Sequence, residues 1–215
     1  MLSGRRLNIL DPSPLDVEIA DIAHGLARVA RWNGQTFGEH AYSVAQHSLL
    51  VVAIAERLAP APAPALSLAA LLHDAPEYVV GDLVSPFKAA IGDAYKGVEA
   101  RLEAAILMRF SIPPDPSGGR TALVKAADTV AAYLEATALA GFTPDEAGRI
   151  FGPPEIADRR AGRVARALPR RRGADALPRV LRASGARPPH RPRHRRRLTI
   201  GRNGQFAIYN CRMAG

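Results

Sequence analysis

Through about residue 140, apolar side chains recur at the three- and four-residue spacing of helices, broken by short polar or proline-bearing runs. Val17, Ile19, Ala20, Ile22, Ala23, Leu26, Ala27 and Val29 lie behind Asp16, a capping residue type, and predict a first helix of roughly four turns. Arg31 to Thr36 breaks that pattern, with Gly34 suited to left-handed geometry. Val44, Leu49, Leu50, Val51, Ala53, Ile54 and Leu58 predict a second helix capped by Ser43. Pro60, Pro62 and Pro64 force a linker, and a third helix runs from about Pro64 into His73 and Asp74. Pro76 lacks the N–H that would bond to the Leu72 carbonyl, so a kink or break is expected there, and Gly81 and Pro86 end the segment.

A fourth helix is predicted over residues 93–110, with Val98, Leu102, Ala105, Ile106 and Met108 to Phe110 inward. A fifth spans about 121–139 and buries Leu123, Val124, Ala127, Val130, Ala131, Leu134 and Ala138, placing Asp128 on or beside its inner face. From about Gly152 periodicity stops. Arg170 to Arg172, Pro188 to His190 and Arg193 to Arg197 have the charge and proline content of a disordered segment. The expected architecture is an all-α bundle over residues 1–153, followed by a basic low-complexity tail over 154–215.

Composition sharpens this picture. At 47% hydrophobic and 6% aromatic, with alanine and leucine dominant, the chain favours packed helices over sheets. The net charge of +9 is unevenly spread: residues 1–154 carry 12 Lys and Arg against 17 Asp and Glu, whereas residues 155–215 carry 17 against 3. Basic character therefore belongs to the tail. It could meet nucleic-acid phosphates, but it lacks interleaved aromatics and any known reader motif. A tail translated out of its ancestral frame is the other reading. Cys211, the single cysteine, rules out an internal disulfide and a Cys-based zinc site. No run reads as a secretory leader or reaches membrane-spanning length, so the expected location is the cytoplasm. The wide apolar faces point to a homodimer.

The chemistry concentrates in His47, His73, Asp74 and Asp128, drawn from three predicted helices that a bundle can aim at one point. Two imidazoles and two carboxylates suit one divalent ion such as Mn, Co, Ni, Fe or Zn, with coordination positions left for water and substrate. Glu77 follows His73 by four residues and shares its face on a helix, at the offset of a general base or proton shuttle. Asp82 could assist it or cap the next element. His24 reads as a core or boundary residue, His40 as a cap or solvent-facing one, and Lys96 and Lys125 as surface lysines.

These residues resemble the H…HD…D signature of the HD-domain metal-dependent phosphohydrolases. Arg31-Trp32, Gln46-His47-Ser48, His73 to Glu77 with Gly81-Asp82-Leu83, Pro86-Phe87-Lys88, Tyr95-Lys96 with Glu99, and Val124 to Asp128 are together similar to the bacterial 5′-deoxynucleotidase subgroup, over about residues 20–140. The resemblance implies one divalent metal, Mg among the candidates, on His47, His73, Asp74 and Asp128, with Glu77 and Asp82 needed for hydrolysis. It implies that Arg31 meets the substrate phosphate and that Trp32 lies against the sugar and favours 2′-deoxyribose; Lys88 is a candidate substrate contact through phosphate, with a solvated surface lysine as the other reading. The expected reaction is hydrolysis of deoxynucleoside 5′-monophosphates to deoxynucleoside and phosphate by a metal-activated water. Gln46 stands where that pattern has an acidic residue, so a deoxynucleoside triphosphate triphosphohydrolase stays open as an alternative. A non-catalytic regulatory or nucleic-acid-binding module with the same fold is the third reading.

Overall fold

The computed structural model describes residues 1–59 and 61–153; the expected tail, its disorder and its link to nucleic acid lie outside the described residues. Among the described residues every regular element is helical, and the one strand-like contact is an isolated antiparallel bridge between Ala30 and Ser43. The helices are α1 (Ile19–Leu26), α2 (Val44–Leu58), α3 (Pro64–Leu72), α4 (Glu77–Val80), α5 (Ser85–Ile91), α6 (Asp93–Arg109), α7 (Gly119–Leu139) and α8 (Pro144–Phe151), with short 3-10 turns at Pro14–Asp16 and Trp32–Gly34. None is long and apolar enough to cross a membrane.

The centre is α2, packed against α3 and α7, with α1 on its flank. Leu50, Val51 and Ile54 of α2, Leu71 and Leu72 of α3, and Ala127 and Ala131 of α7 share one buried cluster. Each fully buried leucine or isoleucine contributes about 1.5–3 kcal/mol, while the alanines of α7 let it lie close to α2. The start of α2 is a capping box: the Gln46 N–H donates to Ser43 Oγ, and Gln46 Oε1 accepts from the Ser43 N–H. Gln46, which departs from the monophosphatase pattern, is thus occupied in closing the helix.

The first helix is half the expected length. The Val17 carbonyl accepts from Arg109 Nε at 3.0 Å, and Val17 and Glu18 are extended, so α1 starts at Ile19 and Asp16 falls in the preceding 3-10 turn. A tertiary hydrogen bond has removed one turn that periodicity alone would grant. Met108 is a second correction: it is 63% exposed although its neighbours Ala105 and Ile106 are buried. Both α5 and α8 went unforeseen, being short helices that each begin with a proline in the first turn.

The break at Pro76 is present. α3 ends at Leu72, whose carbonyl accepts from the Ala75 N–H at 3.0 Å, and α4 begins at Glu77. It packs on α1, where Gly25 makes room: a Cβ there would lie 2.8 Å from Tyr78 Cβ and 3.1 Å from the Tyr78 carbonyl. That close crossing sets the depth of Glu77.

Candidate metal centre

His47 is the fourth residue of α2 and wholly buried, and its first partner is a carboxylate. Its Nδ1 lies 2.6 Å from Glu135 Oε1. A carboxylate accepts, so Nδ1 carries a proton and Nε2 is the nitrogen available to a ligand. His73 reaches the same state differently. It caps α3, and its Nδ1 donates to the Ala70 carbonyl at 2.8 Å, satisfying one of the carbonyls orphaned at that helix end. Both rings are therefore fixed with Nε2 free, and both Nε2 atoms are buried without a hydrogen-bond partner.

The two Nε2 atoms face the same carboxylates. His47 Nε2 lies 3.4 Å from Asp74 Oδ2 and 3.3 Å from Asp128 Oδ1, and His73 Nε2 lies 3.1 Å from Asp74 Oδ2. Ligand atoms of His47, His73 and Asp128 all fall within 4.8 Å of one another, so these residues could hold a metal ion. Asp74 borders the same space from the turn after α3. Orphaned, buried imidazole nitrogens between two carboxylates fit the donor set of a divalent cation, and leaving such atoms dry and unpaired is otherwise costly.

Electrostatics follow from this crowding. Burial opposes charge on His47, yet Glu135 outweighs it and pushes the imidazole well above its usual value. Asp74 is held well below the ordinary carboxylate range: burial works the other way, but His73 and His47 prevail. Asp128 is likewise depressed against its burial, chiefly by the His47 ring. Glu77 goes in the opposite direction. Burial first, then the Asp74 and Asp82 carboxylates, push it up to about 9 in spite of Lys88 and Arg31. Its Oε1 accepts from Lys88 Nζ at 3.4 Å, and its Oε2 is buried without a partner. Asp82 is raised by burial and lies 3.9 Å from Arg31 Nη1.

Arg31 joins the group through three acids: Asp74 at 3.5 Å, Asp82, and Glu135 at 3.1 Å. Trp32 adjoins it on a strained turn, with φ 57° at Trp32 and 51° at Asn33, an unusual conformation for side chains of this size. Its Nε1 donates to Glu135 Oε2 at 3.1 Å, and its ring meets Phe142 and Phe151 at 5.7 and 6.1 Å between centroids. Lys88 bridges Glu77 and Glu99, and a pocket of about 300 Å³ opens beside them, bordered by His73, Asp74, Glu77, Lys88 and Lys96.

His47, His73, Asp74, Asp128, Arg31, Asp82, Glu77 and Lys88 thus form one connected neighbourhood, whereas the described side-chain contacts of Trp32 are to Glu135 and the two phenylalanines. His40 is exposed, and His24 pairs with Arg28 at 3.0 Å. Lys125, read as a surface lysine, is 75% exposed along its side chain, but its Nζ reaches Asp128 Oδ2 at 2.8 Å. The residue that sequence reading missed is Glu135. It is wholly buried, seven residues after Asp128 on the inner face of α7. A carboxylate two turns along the stripe of Val124, Ala127 and Ala131 was the available signal.

Comparison with known proteins gives three matches. Residues 20–140 match the family described as 5′-deoxynucleotidase YfbR-like. An uncharacterised protein of Rhodobacter capsulatus is 58% identical over 155 residues, covering 72% of this chain and 79% of that one. The uncharacterised protein YfdR of Escherichia coli is 35% identical over 99 residues, covering 46% of this chain and 50% of its own.

Proposed function

The chain belongs to the YfbR-like 5′-deoxynucleotidase family, and from that premise we propose a metal-dependent phosphohydrolase that releases phosphate from deoxynucleoside 5′-monophosphates. The observation that carries this reading is the pair of unpartnered, buried imidazole nitrogens of His47 and His73 facing Asp74 and Asp128. Those four side chains would hold the ion. When bound, a divalent cation supplies charge neutralisation at phosphoryl oxygens and lowers the pKa of water.

The protein's own groups divide the remaining work. Arg31 offers a planar fork of N–H donors suited to phosphate, held in place by Asp74, Asp82 and Glu135. In the metal-free protein burial and the Asp74 and Asp82 carboxylates push Glu77 up to about 9, while Asp74 is held well below the ordinary carboxylate range. Breaking the P–O5′ bond leaves an alkoxide that takes a proton from Glu77, and the proton given up by the attacking water returns to Glu77 within the same turnover, so that water and ester become alcohol and phosphate with Glu77 restored. Lys88 accompanies Glu77 and keeps its Oε1 engaged, leaving Oε2 for proton transfer. Trp32, anchored by Glu135, would lie against the sugar and disfavour a 2′-hydroxyl.

The test is release of inorganic phosphate from a panel of mono-, di- and triphosphates, deoxy and ribo, in Mn, Co, Mg or Zn. Phosphate from deoxynucleoside monophosphates is the expected product, and release of intact triphosphate would replace this reading with the triphosphohydrolase one. His73→Ala and Asp74→Ala should lose metal and turnover together, whereas Glu77→Ala should keep metal and lose turnover. Full activity of a metal-free Asp74→Ala protein would overturn the proposal.

A further inference from the structure

Glu135 divides its two oxygens between α2 and the Arg31-Trp32 turn. Oε1 takes His47 Nδ1 on α2 at 2.6 Å, and Oε2 takes Arg31 Nε and Trp32 Nε1, both at 3.1 Å. His47 is a candidate metal ligand, while Arg31 and Trp32 are candidate substrate contacts. We propose that Glu135 is a positioning residue that couples metal occupancy to substrate binding by fixing the His47 ring and the Arg31-Trp32 turn through one carboxylate. This inference rests on the function proposed above.

Two observations support it independently. The first is the turn itself: Trp32 and Asn33 sit at positive φ, a conformation that persists only when its surroundings over-determine it. The Arg31 N–H donates to the Tyr42 carbonyl and the Phe37 N–H to the Leu139 carbonyl, each at 2.8 Å, so the loop is pinned at its backbone while Glu135 pins its two side chains. The second is the chemistry of the acceptor. Three N–H groups arrive at one side chain, and only a carboxylate presents acceptors at both ends. An amide cannot serve both. With its oxygen toward Arg31 and Trp32, its NH₂ faces His47 Nδ1 and drives the ring proton to Nε2, where the ligand lone pair belongs; turned round, it sets NH₂ against two further donors.

The decisive variant is Glu135→Ala in the full chain, which removes both acceptors at once. Calorimetry with Mn²⁺ should give a Kd raised about 10- to 100-fold, the range for losing a partner of a ligating histidine. At saturating Mn²⁺, the Kd for inorganic phosphate should rise about tenfold, the scale of one lost charge-assisted hydrogen bond. A folded variant that binds both ions like the parent overturns the proposal; so does one that loses affinity for only one of them, or that only melts earlier. Should the variant not fold, the parent protein decides. Its single tryptophan gives one indole N–H resonance, which Zn²⁺ should displace, and His47 should appear as the Nδ1–H tautomer bound through Nε2. An unmoved indole signal or an Nε2–H tautomer overturns the coupling. Because the readouts are binding and resonance position, a parent protein inactive on phosphate esters would refute the proposed reaction and leave this test standing.

Discussion

Glu77 and Asp74 are three residues apart, yet their protons behave oppositely, because Asp74 faces two imidazoles while Glu77 faces two carboxylates in a buried place. That contrast gives a pH prediction for metal-free protein. A carboxyl raised in the folded state binds its proton more tightly folded than unfolded. Its contribution is therefore complete below the unfolded value near 4.5 and is lost as pH rises toward about 9. Glu77→Gln removes this dependence. In chelator, urea unfolding of the parent should weaken across that window with a slope of up to about 1.4 kcal/mol per pH unit that the variant lacks. Parallel curves for the two proteins would show that Glu77 is not raised. At this scale the chain alone offered His47, the His73-Asp74 pair, Glu77 and Asp128 as candidates, and the fold brings them into one neighbourhood. Glu135 was not among them, because its importance lies in partners 88 to 104 positions away.

Among the elements, α4 shows how packing sets chemistry. It is four residues long and cannot be stable alone, so its contact with α1 holds it. Gly25→Val should force the two apart, since even a Cβ would lie 2.8 Å from Tyr78 Cβ. The expected cost is about 1–3 kcal/mol of stability, typical of overpacking, with a fall in kcat as Glu77 moves. Thermal unfolding and kinetics together check this; an unchanged melting temperature would contradict the crossing. The capping box of α2 is a second case. Ser43→Ala should cost about 1 kcal/mol and loosen the turn that carries His47, measured as a shift in denaturation midpoint. Most boundaries were readable from the sequence because Pro76, Gly81 and Ser43 act locally. The start of α1 was not, since Arg109 claims the Val17 carbonyl from ninety-two residues away.

For the molecule as a whole, one buried cluster ties together α1, α2, α3, α6 and α7 among the described residues, which end at residue 153. We propose that boundary as the edge of the folded unit. A chain ending at residue 153 should then melt within about 4 °C of the full protein, the shift that roughly 1 kcal/mol produces at this size, and should retain its kcat. Unfolding or loss of turnover on truncation would place part of the domain in residues 154–215. The charge division sharpens the expectation, because the 17 Lys and Arg beyond residue 154 leave an acidic part that already contains every candidate site residue.

By itself the sequence determined the helical class, most helix positions and the residue types of the candidate site, because periodicity, proline and capping are short-range properties and a four-residue spacing fixes a shared face. Only tertiary structure decided how the rings are oriented. The proton on each imidazole follows from what touches Nδ1, a carbonyl three residues back for His73 and a carboxylate on another helix for His47. It likewise decided that one buried acid would join α2, α7 and the Arg31-Trp32 turn, since hydrogen bonds between elements distant in sequence depend on packing that no local pattern encodes.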